Sequence, residues 1–221
     1  MPDVAAVWQN SVFGAIGARG YDFVLDHPAV AGPAALALWG IDANLMYDAM
    51  DVINEQPDGS SLLDLPVGGG VALRRLDPER RVRYVAADIS RAQLRMARGV
   101  AERHGLTDIE FVRADVVELP FAAAEFDLVV TFAGLHCMPD PAGAIAALAR
   151  VLRPGGSLVG SCVVAGVRRR YDFQIRALQR LGVFGPPSTV MDLSRGLDAA
   201  GLTHIQLSRN GALTQFTAVK A

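Results

Sequence analysis

Three aspartates and a run of glycines hold most of the chemistry that can be read in this chain. Asp64, Asp88 and Asp115 each stand at or near the end of a short apolar run, and Gly68, Gly69 and Gly70 follow the first of them. Residues 62–73 read LLDLPVGGGVAL: an apolar run of strand character, a tight glycine turn, then a helix-compatible run through Val71, Ala72, Leu73 and Leu76. Residues without Cβ let backbone N–H groups approach a ligand closely and accept φ values closed to others. In an open α/β sheet such a loop lies at the carboxyl ends of the strands, where nucleotides bind. Asp88 falls 88 minus 64, or 24, positions after Asp64, near the distance at which an acid takes the hydroxyls of a ribose. A carboxylate suits that task because it accepts two hydrogen bonds at once and repels a 2′-phosphate. Asp115, one strand further, can accept from an exocyclic amine, while Ile89 and Val116 offer apolar faces for an adenine. Any one of these acids could equally be a helix N-cap. Three in phase with a glycine turn point to one nucleotide-binding edge.

His136 is the candidate general base, since it follows the fourth apolar run and its unperturbed pKa lies near neutrality. The competing role is packing, or a hydrogen bond to its own loop. His27 and Tyr21 are weaker candidates. Trp8, Trp39 and Phe13 could shape an aromatic pocket or simply fill the core of the N-terminal helices. Arg168, Arg169 and Arg170 form the only dense basic run and read as a solvated face. Cys137 and Cys162 are too few for a disulfide framework and are not spaced for metal, so no metal site is expected and a reducing cytoplasm is the natural compartment.

The elements that must position these groups follow from periodicity. Residues 3–16 place Val4, Ala5, Trp8, Val12 and Ile16 on one helical face, and a second helical stretch runs from Pro33 to Ile53. With no strand alternation in the first sixty residues, 1–60 reads as a helical cap and 61–221 as the nucleotide-binding core. Strands are expected at 82–87, 110–114, 126–132 and 157–164, with helices at 91–103 and 141–152 between them. A helical insert at about 166–200 comes next. Strands at 204–208 and 213–220 then flank Arg209-Asn210-Gly211, a strong hairpin signal. The expected fold is α/β, a doubly wound, mostly parallel seven-stranded sheet closing in an antiparallel hairpin. A chain of 221 residues, 51% hydrophobic and 20% charged, can bury such a core. Its net charge of -2 recommends neither a nucleic-acid partner nor an anionic membrane surface, and no stretch has the length of a membrane span.

Taken together, DLPVGGG (64–70), AADIS (86–90), RADVVELPF (113–121), FDLVVTFAGLHCMPD (126–140), LRPGG (152–156) and the ending AGL…FTAVKA (200–221) resemble the class I S-adenosylmethionine-dependent methyltransferases. Within that family the chain is similar to the small-molecule branch that includes the ubiquinone and menaquinone biosynthesis enzymes. The resemblance covers residues 61–164 best, and Tyr21-Asp22 is also similar to the family's cap. It implies a Rossmann-like fold, S-adenosyl-L-methionine as cofactor with S-adenosyl-L-homocysteine as product, and a small-molecule substrate. It further implies that Asp64 and the Gly68–Gly70 loop hold the methionine part and Asp88 the ribose. Asp115 and Val116 would hold the adenine, with Phe132 to Leu135 on the other side. The family's loop usually carries glycine where this chain has Pro66, and often cysteine at Val67. Proline lacks an N–H and fixes φ, so the turn must differ at its first step.

Two other readings stand beside this one. A nicotinamide-dependent oxidoreductase would want G-x-G-x-x-G, but the sixth position after Gly68 and Gly70 is Leu73, and the closing hairpin would be unexplained. A binding, regulatory or cyclisation protein would keep the cofactor pocket without methyl transfer. Homodimerisation stays open.

Overall fold

Among the described residues aliphatic runs supply seven strands, and their order places the acids on one edge. They are β1 (Ser61–Asp64), β2 (Arg83–Asp88), β3 (Ile109–Arg113), β4 (Phe126–Phe132), β5 (Leu152–Val163), β6 (Leu202–Asn210) and β7 (Leu213–Lys220). The computed structural model describes residues 4–10 and 28–221. All seven strands join one sheet in the order β3-β2-β1-β4-β5-β7-β6. Strands β1 to β5 pair in parallel, whereas β7 runs antiparallel to both β5 and β6.

The helices are α1 (Val4–Asn10), α2 (Pro28–Trp39), α3 (Ala43–Met50), α4 (Arg91–Arg103), α5 (Pro141–Val151), α6 (Arg169–Arg180) and α7 (Val190–Ala199). Local chemistry sets their starts. The Ser90 side chain caps α4 by accepting from the Gln93 N–H, and Asp140 caps α5 through Gly143 with Pro141 at the first turn. Thr189 and Asp192 make a reciprocal capping box on α7. One apolar layer lies between the sheet and α5/α7, including Leu63, Val129, Leu148, Leu158, Leu197 and Phe216. The opposite face holds Leu62, Ala86, Leu128 and Val130 under α4, which contributes Leu94, Ala97 and Val100. Among the described residues no helix is long and apolar enough to cross a membrane.

Four elements depart from expectation. The run after the glycine loop forms only a 3-10 turn, Ala72–Arg74, because Pro78 lies too close for a helix to nucleate and grow. Its place on the sheet is taken by the end of the cap, where Ile53 is fully buried in the α4-side core. Asp51 pairs with Arg75, and Asn54 donates to the Arg75 carbonyl and accepts from the Asp77 N–H. The long helix expected from Pro33 is instead α2 and α3, with Pro33 inside α2. Gly40 at φ +66° ends the first and Asp42 caps the second. Strand β5 begins at Leu152 rather than Ser157, because Arg153 is tied down by both carboxylate oxygens of Asp127. The β6 strand spans Leu202–Asn210, interrupted by a bulge where His204 takes φ +51°. The N-terminal helix is described as Val4–Asn10; Val12, Phe13, Ile16, Tyr21 and His27 lie outside the described residues.

The hairpin turn does more than reverse the chain. Buried Asn210 accepts from the Asp42 N–H and donates to the Asp42 carbonyl, both at 2.7 Å. The Ala212 N–H donates to the Trp39 carbonyl, and Gln215 donates to the Leu45 carbonyl. The cap is thereby clipped to the C-terminal hairpin. Its Trp39 stacks on Tyr171 of α6 at 6.2 Å.

Candidate functional site

Parallel register fixes which side of the sheet each acid takes. Asp64 lies opposite Ala86, and Asp88 is two residues beyond Ala86. Alternation along a strand therefore puts the Asp64 and Asp88 side chains on the same face. Asp88 Oδ2 accepts from the Gly68 N–H at 3.0 Å and Oδ1 from the Ser90 N–H at 2.8 Å. The second strand's acid and the first strand's glycine loop thus meet directly. Burial pushes the Asp88 pKa up to about 6, against the lowering effect of the N–H bonds from Ser90, Gly68 and Ile89. Asp64 is deeper. Its Oδ2 accepts from the Tyr84 hydroxyl at 2.9 Å. Burial drives its pKa to about 7, with the Tyr84 bond opposing and the Asp88 charge adding. Tyr84 lies within the strand expected at 82–87, and a phenol inside a buried strand must find a partner, which is the signal the sequence offers for it.

The glycines divide their work. Gly68 has φ +53°, and a Cβ there would meet nothing within 4 Å, so it borders open space beside Asp88. At Gly70, φ +84°, a Cβ would stand 3.1 Å from the Ala97 Cα, and its N–H already donates to the Val67 carbonyl. Gly70 therefore lets α4 approach the loop, where a ligand contact was expected. Pro66 follows a cis peptide, and its ring fills the space a side chain at Gly134 would occupy. The proline closes the β1 loop against the β4 loop.

Beyond β4, Ala133 adopts φ +52° and its N–H donates to both the carbonyl and the hydroxyl of Ser161 at 3.0 Å. A non-glycine residue held in that region at a strand's carboxyl end marks a site where neighbours over-determine the backbone. Phe132, Ile89 and Asp115 are half-buried along this edge. Asp115 Oδ1 accepts from the Val117 N–H at 3.0 Å, which holds its loop and leaves the second oxygen free of any bond among the described residues. Val116 is buried. Leu135 is fully buried among the α5-side core residues, so the structure does not bring it to the crevice as expected.

His136 is held on two sides. Its Nδ1 accepts from the Val163 N–H at 3.1 Å, and its ring meets Phe184 edge-on at 4.5 Å. Burial lowers its pKa to about 4, so the ring is neutral near pH 7. A nitrogen that accepts a backbone N–H carries no proton, so the neutral ring carries its proton on Nε2. The geometry makes His136 a hydrogen-bond donor at its open nitrogen, and its expected role as a base has no free lone pair to work with. Val163, Ser161 and Phe184, which position this loop, had no distinguishing pattern in sequence. Burial also raises the Cys162 thiol to about 12 and raises that of Cys137, so neither supplies a thiolate nucleophile.

A doubly wound sheet ending in an antiparallel pair, with an acid of β2 bonded to the glycine loop of β1, defines the class I methyltransferase fold. Residues 63–160 match the family described as "Methyltransferase domain". It is similar to demethylmenaquinone methyltransferase of Clavibacter sepedonicus, 36% identical over 124 residues, covering 54% of this chain and 49% of that one. The chain spans about a third to a half of the length of the first curated relatives it matches. Among solved structures it resembles a geranyl diphosphate methyltransferase in complex with GPP and sinefungin (TM-score 0.67, 14% identity, 81% of this chain and 78% of that one). It also resembles the [4+2]-cyclase SpnF (TM-score 0.64, 21% identity, 79% and 80%). At these identities the likeness is one of fold.

Proposed function

We propose that the protein binds S-adenosyl-L-methionine at this edge and transfers its methyl group to a small, partly apolar metabolite. The observation that carries the reading is the hydrogen bond between Asp88 and Gly68, beside which open space borders the glycine Cα. That hollow, with a buried carboxylate at one wall, fits an adenosine whose ribose donates two hydroxyls. Asp88 would hold the ribose, Asp115 with Ile89 and Val116 the adenine, and Gly68 and Pro66 the methionine part, with Phe132 on the opposite side. Asp64 would stand beneath, where a cation stabilises its carboxylate. The cofactor supplies an activated methyl group; the chain's own residues bind, orient and exclude water. Phe184, half-buried beside His136 and backed by Trp39 and Tyr171, supports an acceptor with an apolar surface.

Within this reading His136 orients an acceptor oxygen through Nε2–H. Replacing it with leucine is expected to lower turnover about tenfold, the worth of one neutral hydrogen bond, and glutamine to restore part of it. A lost general base would cost about 10²- to 10⁴-fold, so initial rates with both variants separate the two roles.

Because Asp88 carries a raised pKa of about 6, protons compete with the cofactor. The free protein takes up a proton below that value, and a complex that needs both carboxylate oxygens must release it. Affinity for S-adenosylhomocysteine is therefore expected to weaken as pH falls, first through Asp64 below about pH 7 and then by up to about a further tenfold per unit through Asp88 below about pH 6. Calorimetric titration across that range checks it; a flat profile down to about pH 5 would show that Asp88 makes no such contact.

The whole assignment is tested by thermal shift with S-adenosylhomocysteine against NADH, where stabilisation by the former alone is expected. Transfer of labelled methyl groups into a metabolite extract then separates a transferase from a binder that uses the cofactor only as a wall.

A further inference from the structure

The charge of the whole chain hides an uneven distribution. Residues 166–181 contain five arginines, Arg168, Arg169, Arg170, Arg176 and Arg180, against one acid, Asp172. That acid is engaged, its carboxylate accepting from the Gly166 N–H at 2.8 Å. Helix α6 buries Tyr171 and Ile175 against the cap and hairpin. At about 100° per residue, Arg169, Phe173, Arg176 and Arg180 fall within about 60° of one another on its other side. Phe173 in the middle of that stripe is 72% exposed, and Arg169 and Arg176 are exposed beside it.

A bare phenylalanine among arginines is not an ordinary solvated face. Six of the seven large apolar side chains exposed among the described residues belong to the cap and the insert: Leu36, Leu38, Leu45, Phe173, Leu181 and Met191. Scattered apolar side chains need no explanation, but a phenylalanine left bare between the arginines of one helix face does. Arginine stems can lie along an apolar boundary while their heads meet anionic groups, and aromatic and leucine side chains insert at the headgroup level.

We propose that the α6 stripe centred on Phe173 docks the protein peripherally on an anionic phospholipid surface. The arginines supply attraction to the headgroups, and Phe173 supplies shallow insertion. This surface is independent of whether methyl transfer occurs.

Flotation of the full-length protein with vesicles tests the proposal. Binding is expected to vesicles of phosphatidylglycerol and phosphatidylcholine but not to phosphatidylcholine alone, and to fall between about 0.1 M and about 1 M salt. Removing two arginines, R169Q with R176Q, should weaken it about thirtyfold, and F173S should also reduce it. Both variants change exposed side chains, and far-UV circular dichroism with cofactor thermal shift checks that they fold. Equal partition onto neutral and anionic vesicles, no binding to either, or full binding by R169Q/R176Q overturns the proposal. So does sedimentation in which F173S converts a dimer to a monomer, since the face would then join two copies of the chain.

Discussion

Asp88→Ala is expected to weaken binding of S-adenosylhomocysteine at least a hundredfold while the protein stays folded. Two charge-assisted hydrogen bonds to ribose hydroxyls are worth about 1.5–3 kcal/mol each, so their joint loss exceeds the 2.8 kcal/mol or so of a hundredfold change. The fold is spared for a separate reason. The substitution orphans the N–H groups of Gly68 and Ser90, but it also removes a carboxylate whose burial disfavours its charged form, and these effects oppose each other. Asp115→Ala should cost less, since its bonded oxygen serves its own loop. Calorimetric titration with a parallel melting curve reads both quantities. Undiminished affinity in a folded Asp88→Ala protein would remove the ribose assignment and, with it, the reason for placing the cofactor in this crevice.

Gly211→Ala should do the converse, leaving the cofactor bound and the acceptor side broken. Gly211 sits at φ +63°, and a Cβ there would overlap the carbonyl oxygens of Gly40 and Trp39. Both obstacles are backbone, so the overlap can be relieved only by moving the cap off the hairpin. The positive φ adds about 1 kcal/mol or more, and the loss of the two Asn210 bonds to Asp42 about 1 kcal/mol each, for a total of about 3 kcal/mol. Trp39 would leave Tyr171 and Phe184 with it. Turnover is expected to fall at least tenfold by loss of acceptor binding, with S-adenosylhomocysteine affinity within about twofold of the parent. Asn210→Ala, which keeps the turn and loses only the bonds, should lie between. Equal loss of cofactor and acceptor binding would mean that the hairpin and cap support the whole sheet edge.

The sheet was legible because its signals are local and redundant. Apolar strands ending in acids, caps at Ser90 and Asp140, and Asn-Gly at the hairpin each specify their element without reference to the rest. What stayed hidden depends on distant partners. Gly70 reads like Gly68 in sequence, yet one borders open space and the other packs on α4, a distinction set by Ala97 more than twenty residues away. His136 looks like a base until the Val163 N–H occupies its Nδ1. Leu135 looks like a lining residue until α5 covers it. The glycine loop's missing helix could be suspected from Pro78, but its replacement by Ile53 could not, because nothing in 51–56 announces that it belongs to the core.

That replacement bears on how this protein can be taken apart. Asp51, Ile53 and Asn54 complete the sheet's α4 side, so the boundary at residue 60 drawn from periodicity is not a seam along which the chain separates. A graft that exchanges the N-terminal helices with those of another protein of this fold must cut ahead of Asp51, leaving that short turn with the strands it shelters. Exchange of the whole of residues 1–60 is correspondingly closed to this chain, while exchange of the helices ahead of Asp51 stays open.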